Sequence, residues 1–105
     1  NKLGRFRNEQ QYADFFESLL KSKNVLYERE HFFIPSFPEE HNRNKPDFLI
    51  EDKIIVDLKA KRIITKEDYF QMRRYLISGK KKLGIFANLR SPYVSIKRVL
   101  NSDYL

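Results

Sequence analysis

Three charged residues stand where a buried sheet is expected. In KPDFLIEDKIIVDLKAK (residues 45–61), two apolar runs, Phe48-Leu49-Ile50 and Ile54-Ile55-Val56, are bracketed by Asp47 before the first and by Asp57 and Lys59 after the second. The brief polar turn Glu51-Asp52-Lys53 between the runs predicts an antiparallel hairpin. Side chains alternate along a strand, so Asp57 and Lys59 share one face and Leu58 takes the other. A turn at residues 51–53 places Asp47 opposite residue 57, within a position or so. Cross-strand neighbours lie about 5 Å apart at Cβ. Two carboxylates that close repel unless a proton or a cation lies between them. Lys59 relieves part of the charge, but its ammonium sits on a long stem. A hard divalent cation such as magnesium accepts one or two carboxylates together with waters and phosphate oxygens. The competing reading is plainer: a turn-forming Asp before one strand and a solvated D-x-K pair after the other.

The elements that must position these residues are readable on either side. Apolar residues at Tyr12, Phe15, Phe16, Leu19 and Leu20 have the spacing of one helical face over residues 8–21. Asn8 is a plausible cap, and Glu9 falls in the first turn, where the helix dipole favours a carboxylate. Val25 to Ile34 reads as a strand ended by Pro35, and residues 35–46, with three prolines, as a loop. Thr65 caps a second helix whose Tyr69, Met72, Leu76 and Ile77 share a face and which Ser78-Gly79 ends. Lys82–Asn88 is a buried strand with Gly84 inside it. Ser95–Leu100 is a last short helix or strand. Helices alternating with strands in this way predict one α/β domain over residues 1–105, with a mixed central sheet flanked by helices.

Composition narrows the function classes. The chain has 105 residues with 41% hydrophobic, nine Phe and six Tyr, enough for a single core. Its formal charge of +7 favours anionic partners, nucleic acid before acidic membrane surfaces. No cysteine is present, which excludes disulfides and thiolate zinc sites and is compatible with a reducing cytoplasm. No apolar run has the length of a membrane span, and no signal peptide is visible. His31 and His41 lack the spacing of a metal pair and read as surface or loop residues. The absence of an initiating Met leaves open that the chain is part of a larger protein.

Pro46-Asp47 followed ten residues on by Asp57-Leu58-Lys59 resembles the signature of the PD-(D/E)xK nuclease superfamily. Asp57 stands where Glu is commoner, and it is one methylene shorter. Glu9 to Tyr12 resembles the ExxY of the small GxxExxY proteins, with Gly4 displaced from the usual glycine position. Asp47, Asp57, Lys59 and Ala60 match their D…ExKA core. Gln71 and Tyr75 resemble the QxxxY element of RecB-type nucleases, and GIFAN with Lys97-Arg98 resembles the closing strand and basic ending.

This resemblance implies a restriction-endonuclease-like core of order α-β-β-β-α-β and a metal-dependent nuclease. It implies Mg2+ or Mn2+ held by Asp47, Asp57, Glu9 and the Leu58 carbonyl, with Lys59 stabilising charge on the phosphorane. Gln71 and Tyr75, four residues apart on one helical face, would hold the nucleotide beside the metal. Arg73, Arg74, Lys80, Lys81, Lys97 and Arg98, with Arg5 and Arg7, would form a basic rim for the phosphate backbone. The expected substrate is nucleic acid, DNA favoured over RNA, cut with little sequence specificity and internally rather than from ends; a homodimer would suit two-strand cutting. A binding module without turnover and a protein-binding scaffold are the alternatives.

Overall fold

The computed structural model describes residues 9–31, 33, 45–89 and 95–104. The Asn8 cap, Arg5, Arg7, His41, the Ile34 strand end and the loop over 35–44 fall outside these residues. The element order is α1 (Glu9–Ser22), β1 (Tyr27–Arg29), β2 (Phe48–Ile50), β3 (Ile54–Lys59), α2 (Lys66–Gly79), β4 (Leu83–Asn88), β5 (Ser95–Leu100) and a 3-10 turn (Ser102–Tyr104). The five strands form one sheet in chain order, antiparallel throughout except for the parallel pair β3–β4 that α2 connects. This is the mixed α/β, restriction-endonuclease-like core expected from the sequence. No helix among the described residues is long and apolar enough to cross a membrane.

The hairpin holds the expected register, Phe48 against Val56 and Ile50 against Ile54. Its turn places Glu51 and Asp52 at φ 52° and 57°, both left-handed, and Lys53 N donates to Ile50 O at 2.9 Å. That is the mirror-image turn whose twist matches the flanking strands. The strand expected over 25–34 is shorter, because Glu30 turns the chain at φ 57° immediately after Arg29. The segment 95–100 is a strand that pairs with the whole of β4.

Strand parity divides the core into two layers. Leu49, Ile55 and Phe86 face α2 and pack with Met72, Tyr75 and Leu76. Phe48, Val56 and Leu58 face α1 and pack with Tyr12, Ala13 and Leu20. Arg29 pins α1 to the sheet edge, reaching Asp14 at 2.7 Å and Glu17 at 2.9 Å, while Tyr27 Oη donates to Glu17 at 2.6 Å. Phe15 and Leu19, expected on the buried face, are half exposed. One helix cannot cover five strands, and these two side chains border an apolar groove over β4 and β5 with Ile85, Ala87 and Ile96.

The second helix follows the sequence closely at its start. Thr65 and Asp68 form a capping box: the Thr65 side chain accepts from Asp68 N, and Thr65 N donates to Asp68 Oδ2. Its end differs, since the left-handed capping position belongs to Lys80, at φ 55°, and not to Gly79. Gly79 serves packing instead: a Cβ there would stand 2.7 Å from the Phe33 ring. Gly84 plays the same part under Met72, whose Sδ a Cβ would overlap. We therefore expect Gly84→Ala to cost about 1–3 kcal/mol, measured by denaturant unfolding, and Met72→Ala introduced with it to recover part of the loss.

Candidate active site

The last three residues of β3 carry most of the chemistry. Extending the hairpin register one pair beyond Phe48–Val56 sets Asp47 directly opposite Asp57, and each acid holds a backbone N–H of the facing strand. Asp47 N donates to Asp57 Oδ1 at 3.1 Å, and Leu58 N donates to Asp47 Oδ2 at 2.7 Å. Both side chains lie on the α2 face, Asp57 only 4% exposed. The Lys59 ammonium lies 3.3 Å from Asp57 Oδ2, 3.4 Å from Gln71 Oε1 and 3.7 Å from Asp68 Oδ1.

The far side of β3 is fixed by β4. Leu89 N donates to Lys59 O at 2.7 Å, so the Lys59 carbonyl points toward β4. Asn88 clamps the backbone of Lys61, accepting from its N at 3.3 Å and donating to its O at 2.8 Å. Leu58 faces the other way, past the end of β2, because its N–H is the one that meets Asp47. Its carbonyl points to the same side of the strand, where the sequence reading expects a ligand.

Electrostatics follow from burial and from like charge. Asp47 is pushed up to about 7, first by burial and then by the facing Asp57. Burial also raises Asp57, against the pull of Lys59. Lys59 loses to burial but gains more from Asp57, Asp68 and Glu9, and is held above its ordinary value. Tyr75, buried in the core beneath the acids, is raised well above the usual phenol range by burial and by Asp57 and Asp47. Its hydroxyl therefore stays protonated.

The sequence-predicted residues divide accordingly. Asp47, Asp57, Lys59 and Gln71 come together. Glu9 approaches, but its Oε2 accepts from Ala60 N at 3.0 Å. Among the described residues no three acidic or histidine side chains are disposed to hold a metal ion. The expected three-acid cage is thus replaced by two facing carboxylates with the Leu58 carbonyl beside them. Asp47 Oδ1 accepts no hydrogen bond from the described residues. Two desolvated carboxylates, one of them raised to about 7, are a donor set that fits a hard cation keeping several of its waters.

Tyr75 turns to the site, as its spacing from Gln71 predicts, but it is 4% exposed and packs against Met72 and Phe86. It has little surface left to offer a nucleotide. The basic rim is only partly assembled. Lys80 and Lys81 sit at the opposite end of the sheet, by the start of β4, with Lys81 Nζ 2.8 Å from Asp52. Arg73 leans toward Leu100 and Asn101 at that same end, while Arg74 is half-buried beside Tyr75.

Lys97 and Arg98 divide between the two faces of β5, as neighbours on a strand must. Lys97 pairs with Phe86, which pairs with Asp57, so Lys97 stands on the acids' face at their level. Arg98 is on the α1 face with Ile96. His31 pairs with Glu28 at 2.8 Å.

Sequence reasoning missed Asp68, Lys61 and Asn88. For Asp68 a signal exists: positions 68, 71 and 75 share a helical face, which aligns it with Gln71 and Tyr75.

The raised Asp47 has a measurable consequence. The native chain keeps a proton that the unfolded chain loses above the ordinary value of 3.8, so stability falls as pH rises from there to about 7 and is then level. Metal-free Asp47→Asn should therefore gain melting temperature over wild type at pH 8 and little or none at pH 4.5. An equal difference at both pH values would contradict the shift.

Comparison with known proteins accords with this fold. The chain is similar in structure to an alkaline exonuclease from Laribacter hongkongensis, at a TM-score of 0.57 and 12% identity over 90% of this chain. The match spans 56% of the exonuclease chain. That likeness is one of fold. No curated protein matches the sequence. The family pattern described as the PD-(D/E)XK nuclease superfamily matches residues 1–99, so the chain belongs to the PD-(D/E)XK nuclease superfamily.

Proposed function

We propose that this domain is a divalent-metal-dependent endonuclease that hydrolyses phosphodiester bonds with little intrinsic sequence specificity, DNA favoured over RNA. One observation carries the reading: Asp47 and Asp57 face each other at adjacent strand ends with the Lys59 ammonium 3.3 Å from Asp57 Oδ2. Asp47, Asp57 and the Leu58 carbonyl would hold Mg2+ or Mn2+. When bound, the ion would polarise the scissile phosphate and lower the pKa of water in the site.

The chain's own groups do the rest. Lys59 presents a point charge on a flexible stem to the developing negative charge of the phosphorane. Gln71 fixes the direction of that stem. Lys97, two strands from Asp57 on the same face, is placed to meet a phosphate of the backbone. Such contacts do not read sequence.

The test uses purified protein, Mn2+ and labelled closed-circular DNA, linear DNA and RNA. Wild type should open the circle. Asp57→Ala and Lys59→Ala should bind as well as wild type and cleave about 100-fold more slowly or not at all. Digestion confined to linear ends would match the exonuclease likeness and overturn internal cutting. Salt-sensitive binding without cleavage would identify a binding module, and equal cleavage by all three proteins a contaminant. Separately, Lys97→Ala should weaken DNA binding and lower its salt slope by about 1, while Lys81→Ala, at the far end of the sheet, should change neither.

A further inference from the structure

Asp68 has a structural duty as the N3 acid of the capping box, yet more is aimed at it than a cap requires. Its side chain is nearly buried. Oδ2 takes Thr65 N at 2.8 Å, Thr65 Oγ1 at 3.0 Å and Lys61 Nζ at 2.7 Å. Oδ1 points the other way, 3.7 Å from Lys59 Nζ. Burial works against its charge, but Lys61 and Thr65 outweigh burial and hold the carboxyl below the ordinary carboxylate range. Lys59 is therefore suspended between two anions. Asp57 belongs to the metal-binding pair; Asp68 does not.

An ammonium has three protons to place; Asp57 and Gln71 lie within 3.4 Å of Lys59 Nζ, and Asp68 stands at ion-pair distance, 3.7 Å, as a third acceptor it could reach. A cation arriving at Asp57 would compete with Lys59 for the same carboxylate and repel it at close range. The two acceptors on α2 are within a small side-chain shift, since the distances to Asp57 and Asp68 differ by less than an ångström.

We propose that Asp68 is a positioning residue that receives the Lys59 ammonium when a divalent cation occupies Asp57, so that α2 sets the affinity of the site for its ion. The proposal rests on the reading of Asp47 and Asp57 as metal ligands. Removing the Asp68 charge leaves Lys59 leaning on Asp57, where it competes with the ion. Removing Lys61 leaves Asp68 freer to hold Lys59.

The experiment is titration calorimetry with Mn2+, without any nucleic acid, so it needs no substrate. Asp68→Asn keeps an oxygen for Thr65 and should lower affinity roughly tenfold. Lys61→Met, which leaves both Thr65 and Asp68 in place, should raise it. Both effects should largely vanish in a Lys59→Met background, because the lysine through which they act is gone. Persistence of the full effects in that background would assign them to the general field and overturn the proposal. Unchanged affinity in Asp68→Asn and Lys61→Met, with wild type binding Mn2+, would also overturn it. Wild type that binds no Mn2+, or Asp57→Asn that binds as tightly, would instead bring down the metal reading on which it stands.

Discussion

Everything at the working end of this fold answers to the repulsion between Asp47 and Asp57. Two carboxylates on facing strand ends, shielded from water, would drive the strands apart if each were left alone. Instead each acid takes a backbone N–H from the opposing strand, at 3.1 and 2.7 Å. The bonds that would have continued the ladder are replaced by side-chain bonds to the very groups that repel. The charge is concentrated but the backbone is satisfied. Such a pair is tolerated where surrounding structure over-determines it, and the parallel β3–β4 ladder does so here: Asn88 and Leu89 fix β3 from the other side.

The second helix is the other half of this arrangement. It starts beside the acids and ends at the opposite end of the sheet, so its first three turns carry Asp68, Gln71 and Tyr75 to the site while its last turn returns the chain to the start of β4. The parallel pairing of β3 with β4 requires a crossover of about this length, and the domain uses the crossover itself to supply ligands for Lys59. Charge then alternates outward from the pair: acid, lysine, acid, lysine, through Asp57, Lys59, Asp68 and Lys61. Alternation lets four charged groups sit close together with little net field beyond them.

Much of this was legible in the chain because short-range geometry decides it. A three-residue turn and a ten-residue separation force Asp47 opposite Asp57. Spacings of three and four put Gln71 and Tyr75 on one side of α2. Legibility failed where the deciding contact is distant in sequence. Gly79 reads as a cap, yet the Phe33 ring, far away along the chain, gives it its reason. Residues 95–100 are exposed on both faces, so they show no alternation, and only pairing with β4 makes them a strand. Asp68 reads as an ordinary first-turn acid until the fold brings Lys59 and Lys61 onto it. Three-dimensional convergence also undid the simple picture of a basic rim, since a run such as Lys80-Lys81-Lys82 carries no sign of which end of the sheet it will occupy.

The two-residue alternation of β3 has a consequence for how this sequence can change. Asp57 and Lys59 reach the acids' side only because an even count separates each from Ile55, while Leu58 must land among the residues under α1. Losing or gaining one residue between Ile54 and Lys59 would exchange the sides, sending Leu58 into the charged cluster and both charges into an apolar layer. The turn at 51–53 is free of that parity, because β2 and β3 are re-registered by their own pairing. Length variation among descendants of this chain should therefore collect in the turn and be purged from the strand, whatever happens to the identity of the residues there.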